Sequence, residues 1–318
     1  MDLIFTNANL VDQGILSAYA LDLSFGSSEN NFELTVGSDE ATIDFGAAVY
    51  MEGTEYGGIV GGIKTSTDGE IVTYKGRTWH GILNSKVIQP DEGADYLVAE
   101  GDAHEVLSFL IDRLGLSGLF VVAEGLSGIS VSDYQFHRYC KAYDGIRAML
   151  KDRGAKLKIA WEDCAVHLSA VPIADYTDDP VDGDMATLTV ELNKHKVNHL
   201  ICLGSGELAE REVIHLYVDQ FGRIGDVQYY TGLDEITEIY DYSLSEGLKE
   251  DGIKHFKELL DDDKAEIDLP ETEDLFYDIG DIVGATEYKS GVSVAASVTQ
   301  KIVKINNGVV STEYKTGR

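Results

Sequence analysis

The sequence predicts an α+β protein that is mainly β, with two β-barrels, an inserted α/β module and a helical insert. Three observations carry this. Residues 1–90 consist of short alternating segments separated by turn residues. Helical spacing of apolar residues sets in only after Pro90 and stays confined to short stretches. Strand-forming sequence then returns and closes the chain with the run VSVAASVTQKIVKI. A length of 318 residues allows about two domains. A hydrophobic content of 44% is enough to build cores in both.

Residues 17–24 and 31–36 alternate apolar and polar side chains, as half-buried strands do. Residues 48–51 form a further strand. Residues 59–65 and 71–75 form a hairpin turning at Asp68-Gly69. The stretch Gly76-Arg77-Thr78-Trp79-His80-Gly81-Ile82-Leu83 is read as its continuation, so that β structure runs throughout 1–90. Past Pro90, Val106, Leu107, Leu110, Ile111 and Leu114 fall at helical spacing, with Asp102 as N-cap and Gly115 as stop. A second helix covers 143–153 and stops at Gly154. LKIAWE and AVHLSAV are strands turning around Glu162-Asp163. Residues 175–184 (DYTDDPVDGD) read as an acidic, turn-rich connector. TLTVEL, NHLICLG and EVIHLYVD are strands, the last turning at Gln220-Phe221-Gly222-Arg223, and 225–231 continue the sheet. Residues 235–242 fit either helix or strand. Residues 245–261 form a helix with Leu248, Ile253, Phe256, Leu259 and Leu260 as its apolar set, ending in the acidic run 261–263. In LFYDIGDIV, Ile-Gly-Asp is a tight lead-in to a strand, and Asn306-Asn307-Gly308 joins the last two strands.

A net charge of −31 argues against binding nucleic acid through its phosphates, which requires Lys and Arg. Ten acidic residues precede the first cation, Lys64. That stretch is either a solvated acidic face or a wall past which an acidic chain can slide without sticking. Cys140, Cys164 and Cys202 are odd in number and lack CxxC spacing, which fits neither a disulfide framework nor a cysteine zinc site. Cys164 and Cys202 lie in strand-like, apolar surroundings and are expected to be buried. The start of the sequence lacks the features of a signal peptide, and no stretch is long and apolar enough to span a membrane as a helix.

Catalytic and ligand patterns fail one by one. His195 and His199 are four residues apart, but in strand-like sequence this separates them by about 13 Å, too far for one metal. Residues 178–189 resemble a calcium loop, yet Pro180 stands at its third position and Thr189 where the bidentate Glu belongs. Ser127 and Ser205 sit among glycines without G-x-S-x-G spacing, and no phosphate-binding glycine motif occurs. Acidic pairs such as Asp234-Glu235 suit glycoside hydrolysis, but 56 carboxylates supply such pairs by chance. Trp79 and Trp161 are half-buried packing residues or carbohydrate platforms. Arg77, flanked by Gly76 and Trp79, is a cation in an acidic region and is expected to pair with an acid, within the chain or on a neighbouring subunit. No enzyme activity, metal or cofactor is expected.

Several separated blocks, VYMEGTEYGGIVGGIK, YKGRTWHGIL, VPIADY, KVNHLICLGSGELAEREVIHLYVD and DIGDIV…VTQKIVKINNG, resemble a bacteriophage tail-hub family of siphoviruses and prophages of Gram-positive bacteria. More distantly the chain is similar to baseplate hubs of contractile tails and tail-like particles. The resemblance implies a tail-hub-like architecture of two tube-like β-barrels per chain and a homotrimeric ring of pseudo-sixfold symmetry. Such a ring adapts a hexameric tail tube to a trimeric spike or central fibre. The first barrel would be residues 1–90 and the peripheral α/β module 91–183. The second barrel would combine 184–235 with 270–318, split by a helical insert at 236–269. The implied partners are the tail tube protein, the spike or central fibre, the tape measure protein and other baseplate proteins. Membrane insertion and sequence-specific nucleic-acid binding are not implied. The implied location is the virion tail or a tail-like particle, assembled in the bacterial cytoplasm. Arg77, Trp79 and Tyr56 are the interface candidates in the resembling blocks. The alternatives are a carbohydrate- or receptor-binding tail protein and a cell-wall hydrolase.

Overall fold

The computed structural model describes residues 2–26, 29–40, 42–66, 69–181, 187–191, 196–219, 222–242, 247–260, 264–272, 276–287 and 291–317. Asp68, His195, Gln220, Phe221, the 261–263 run and the 182–186 part of the calcium-like loop lie outside them. The chain divides into two compact units, 1–188 with 266–318, and 189–265.

The first unit opens with strands β1 (Leu3–Thr6), β2 (Asp12–Leu16), β3 (Tyr19–Gly26), β4 (Asn31–Gly37), β5 (Ala48–Tyr50), β6 (Gly57–Thr65) and β7 (Ile71–Thr78). A short helix, α1 (Trp79–Asn84), follows. The strand expected through Leu83 therefore ends at Thr78. Thr78 caps the helix by accepting the Gly81 N–H at 3.3 Å, and Trp79, Ile82 and Leu83 recur at helical spacing on its buried side.

Next come β8 (Val87–Ile88), β9 (Val98–Asp102), α2 (Ala103–Arg113), β10 (Phe120–Val122), β11 (Ser130–Gln135), β12 (Cys140–Lys141), α3 (Ala142–Asp152), β13 (Ala155–Glu162) and β14 (Ala165–Pro172). Asp102 closes a capping box with Glu105 at the start of α2. The same carboxylate accepts the Ser127 hydroxyl and backbone N–H and the Gly128 N–H, each at 2.9 Å. Gly115 and Gly154 follow α2 and α3 with φ of +68° and +67°. The β13–β14 turn is Asp163-Cys164, with φ of +49° and +62°. Cys164 is thus exposed in a turn rather than buried, whereas Cys202 is buried as expected.

Residues 175–181 are not a connector but strand β15 (Asp175–Val181), which pairs in parallel with a C-terminal strand. Strand β16 (Thr187–Glu191) leads out of the first unit. The second unit contains β17 (His199–Leu203), β18 (Val213–Val218), β19 (Ile224–Gly225), β20 (Thr237–Asp241) and helix α4 (Leu248–Leu260). The ambiguous 235–242 stretch resolves to a strand, and the expected 225–231 strand stops at Gly225. The chain returns through β21 (Lys264–Thr272) and ends with β22 (Ile282–Glu287), β23 (Val292–Asn306) and β24 (Val309–Gly317). Asn307 and Gly308 turn β23 into β24 with φ of +50° and +85°.

The main sheet has 13 strands along the path β16-β21-β24-β23-β3-β4-β7-β6-β5-β1-β2, with β22 beside β23 and β15 beside β22. The second unit has its own sheet, β19-β18-β17-β20, whose apolar side with α4 encloses Leu200, Cys202, Leu216 and Phe256. This differs from the expected grouping of 184–235 with 270–318. The C-terminal strands instead pair with β3, residues 300–306 against 20–26. Inward side chains of β3, β4 and β23, among them Leu21, Phe25, Phe32, Leu34, Val303 and Ile305, form the main sheet's core. Strand β5 is buried on both faces: Val49 points into that core, while Ala48 and Tyr50 pack with Trp79, Leu83 and Trp161 in the core beneath β13 and β14. No described helix is long and apolar enough to cross a membrane.

Candidate functional site

The best-defined polar centre of the first unit is built on the turn between β5 and β6. Glu55 Oε1 accepts from Lys301 Nζ of β23 at 2.7 Å, and its Oε2 lies 3.4 Å from His80 Nε2 of α1. Lys301 is only 5% exposed. Its ammonium also lies 5.4 Å from the Tyr56 ring centre, 5.8 Å from that of Tyr314 and 6.0 Å from that of Phe25. The His80 ring stacks on Phe25 at 4.3 Å and meets Tyr143 edge-on at 5.4 Å. Burial alone would raise the Glu55 carboxyl, but the Lys301 charge and the contacts with His80 outweigh it and lower it to about 2. Burial works against the Lys301 charge, and Glu55 with the Tyr56 and Tyr314 hydroxyls reverses the effect and raises its pKa. Burial pushes the Tyr143 hydroxyl up. The same turn is tied to β13, since Gly53 N–H donates to the Trp161 carbonyl and Trp161 N–H to the Thr54 carbonyl, both at 2.8 Å. One turn thus joins the main sheet, α1 and the α/β module.

A second ionic centre lies beside it. Lys156 Nζ of β13 donates to Asp278 Oδ2 and Asp281 Oδ1, both at 2.7 Å. Asp281 is 1% exposed and also accepts the Ala174 and Asp278 N–H groups. Burial disfavours the Lys156 charge, yet the two aspartates raise its pKa. The Ile-Gly-Asp turn read from the sequence is the element that places Asp281 here, with Gly280 at φ +101°.

The three candidate residues fall in different places. Tyr56 is half-buried against the main sheet's core, at the Lys301 centre. Trp79 is fully buried and stacks on Trp161 at 5.0 Å, with Tyr50 against the other tryptophan at 4.5 Å. Both tryptophans are therefore fully rather than half-buried, and neither offers a sugar platform. Arg77 is exposed on β7 and makes no ion pair among the described residues. Sequence reasoning missed Glu55, His80, Lys301, Lys156 and Asp281. For Lys301 a signal existed, since it shares the strand period of Val303 and Ile305 and so points inward.

The acidic N-terminal stretch is mostly exposed, but its charge is not uniform on the sheet. Register aligns Lys304, Asp22, Glu33 and Lys75 across β23, β3, β4 and β7. Lys75 and Glu33 form an ion pair. The two acids therefore sit between two cations in a cross-strand row. At the other end of the path, β2 is the terminal strand; its Ile15 is 58% exposed, and Val11 just before it is 57% exposed. Among the described residues no cluster of three or more His, Cys, Asp or Glu side chains is arranged to hold a metal.

No protein-family profile matches the chain, and no curated protein sequence matches it. Solved structures do. A prophage tail protein from Listeria monocytogenes aligns with a TM-score of 0.58 at 13% identity, over 100% of this chain and 94% of that one. The chain has the fold of phage tail and baseplate proteins. A 43 kDa tail protein of prophage MuSo2 from Shewanella oneidensis aligns at 0.55 and 12% identity, over 100% and 98%. A chain of the phage P2 baseplate in its activated conformation aligns at 0.53 and 11% identity, over 99% and 98%. The likeness to the tail-protein fold covers essentially the whole of each chain.

Proposed function

We propose that the protein is a structural hub of a phage tail or phage-tail-like particle. Three copies form a pseudo-sixfold ring between a hexameric tail tube and a trimeric spike or central fibre. The observation that carries this reading is the end-to-end likeness to tail and baseplate structures from several sources. The arrangement of the first unit supports it. Its long sheet is braced by interior ion pairs, and its terminal strand β2 carries an exposed apolar side chain, Ile15, suited to a neighbouring subunit. Arg77, exposed and without an ion pair among the described residues, is offered to an acidic group of a neighbouring copy or tube subunit. Trp79 and Tyr56 act behind the interface, fixing the turn and helix that carry it.

In this reading the chain works by geometry, without turnover, and its location is the virion tail or baseplate. Its neighbours are the tube protein, the spike or fibre, the tape measure protein and other baseplate proteins. Electron microscopy of particles carrying a tagged copy tests it. Density for three copies around an axial channel at the tube's distal end is expected. A label on receptor-binding fibres, or a purified monomer that binds or cleaves cell-wall glycans, would overturn it.

A further inference from the structure

The second unit carries a chain of titratable side chains on the sheet face opposite α4. His199 Nδ1 lies 2.7 Å from Glu235 Oε1, and His199 Nε2 lies 2.8 Å from His215 Nδ1. Gln228 Nε2 donates to the same Glu235 oxygen at 2.9 Å. His199 is 7% exposed, whereas His215 is exposed to solvent. The groups facing the pair are Glu235 and Gln228 from the loop before β20, Thr237 Oγ1 of β20 at 3.2 Å, and Tyr217 of β18, stacked on His199 at 4.4 Å. Among the described residues neither ring bonds to a further charged group.

Proton counting constrains this chain. An ionised carboxylate only accepts, so His199 Nδ1 carries hydrogen and donates to Glu235. One hydrogen must then lie between His199 Nε2 and His215 Nδ1. In the uncharged pair it belongs to His215 Nδ1, which leaves His215 Nε2 bare at the surface. A proton from solvent can add there and the contact survives, because a single hydrogen still lies between the rings. A second proton places two N–H groups face to face at 2.8 Å, and the contact cannot persist. His199 is held by Glu235 and Tyr217, so the exposed His215 ring is the one that swings away.

We infer that His199 and His215 form a one-proton switch: the pair stays joined with no or one excess proton and parts on the second, releasing His215 from β17. The parted state presents a mobile cationic ring beside the exposed apolar side chains Val213 and Ile239, which makes any partner contact at this face sensitive to acidification.

Imidazole nitrogen NMR on the full chain tests this, between about pH 8 and about pH 4.5, where histidine changes charge. A scalar coupling through the hydrogen bond, between His199 Nε2 and His215 Nδ1, is expected near neutrality and is lost on acidification, with the two protons taken up in separate steps. His215→Ala, at an exposed site that folding does not depend on, removes the coupling and leaves His199 to titrate in a single step. Glu235→Gln keeps an acceptor but removes the charge that favours the doubly protonated pair, and moves the loss of coupling to lower pH. Absence of coupling at every pH, or a His199 titration curve unchanged in His215→Ala, would overturn the inference.

Discussion

Removing one member of the Glu55–Lys301 pair leaves the other ionised in a site closed by Phe25, Tyr56 and Tyr314. Breaking a buried pair in this way costs about 3–5 kcal/mol. Glu55→Gln and Lys301→Met are each expected to lower the urea unfolding free energy by that order, and the double variant by less than their sum. The pair also sets an acid limit. The Glu55 carboxyl is held at about 2, below its ordinary 4.5, so its contribution is complete above 4.5 and is lost as pH falls toward 2. Unfolding measured down that range is expected to lose about 3 kcal/mol in the wild type through this group, and Glu55→Gln to flatten the slope. The inward direction of Lys301 was legible from its alternation with Val303 and Ile305. Its partner was not, because Glu55 lies 246 residues away and only the β3–β23 pairing brings them together.

Local chemistry was the part of each element that the sequence displayed. Asp102 as cap, Gly115 and Gly154 as stops, and Asn307-Gly308 as hairpin turn are all choices made within a few residues, and the structure bears them out. Two elements were decided elsewhere. Helix α1 is only six residues long, too short for its period to show, and forms because Thr78 caps it and two cores take Trp79, His80 and Leu83. Strand β15 is a strand only through its pairing with β22, which no local pattern in DYTDDPV announces. The crowded glycines of the first hairpin are strand residues, not turn residues. A Cβ on Gly76 would lie 2.1 Å from the Ile59 carbonyl oxygen and 2.5 Å from the Phe32 ring, whereas one on Gly61 would meet nothing within 4 Å. Gly76→Ala is expected to destabilise by about 1–3 kcal/mol. Gly61→Ala in the same strand pair is expected to be neutral or mildly stabilising, and chemical denaturation of the two variants compares them directly.

At the scale of the molecule, the mainly β character was readable, but the grouping of late strands was not. The sequence shows that 199–218 and 292–317 form strands, and it does not show which sheet each enters. The former close a small sheet with α4, and the latter complete the sheet begun by the first 80 residues. Sheets dominated by distant pairings fold slowly, in milliseconds to seconds. Refolding of the first unit is expected to be slow, with β3 and β23 amides gaining protection together in pulsed hydrogen exchange. The β3–β23 pairing has a further consequence for synthesis in the cell. Ser24 and Gln300, hydrogen-bonded at 3.0 Å, are 276 residues apart, so β3, paired early with β4, gains its other neighbour only after the ribosome has added that length of chain. Until then the nascent protein carries an unfinished sheet with a bare edge, open to chaperones and to mispairing with other nascent copies.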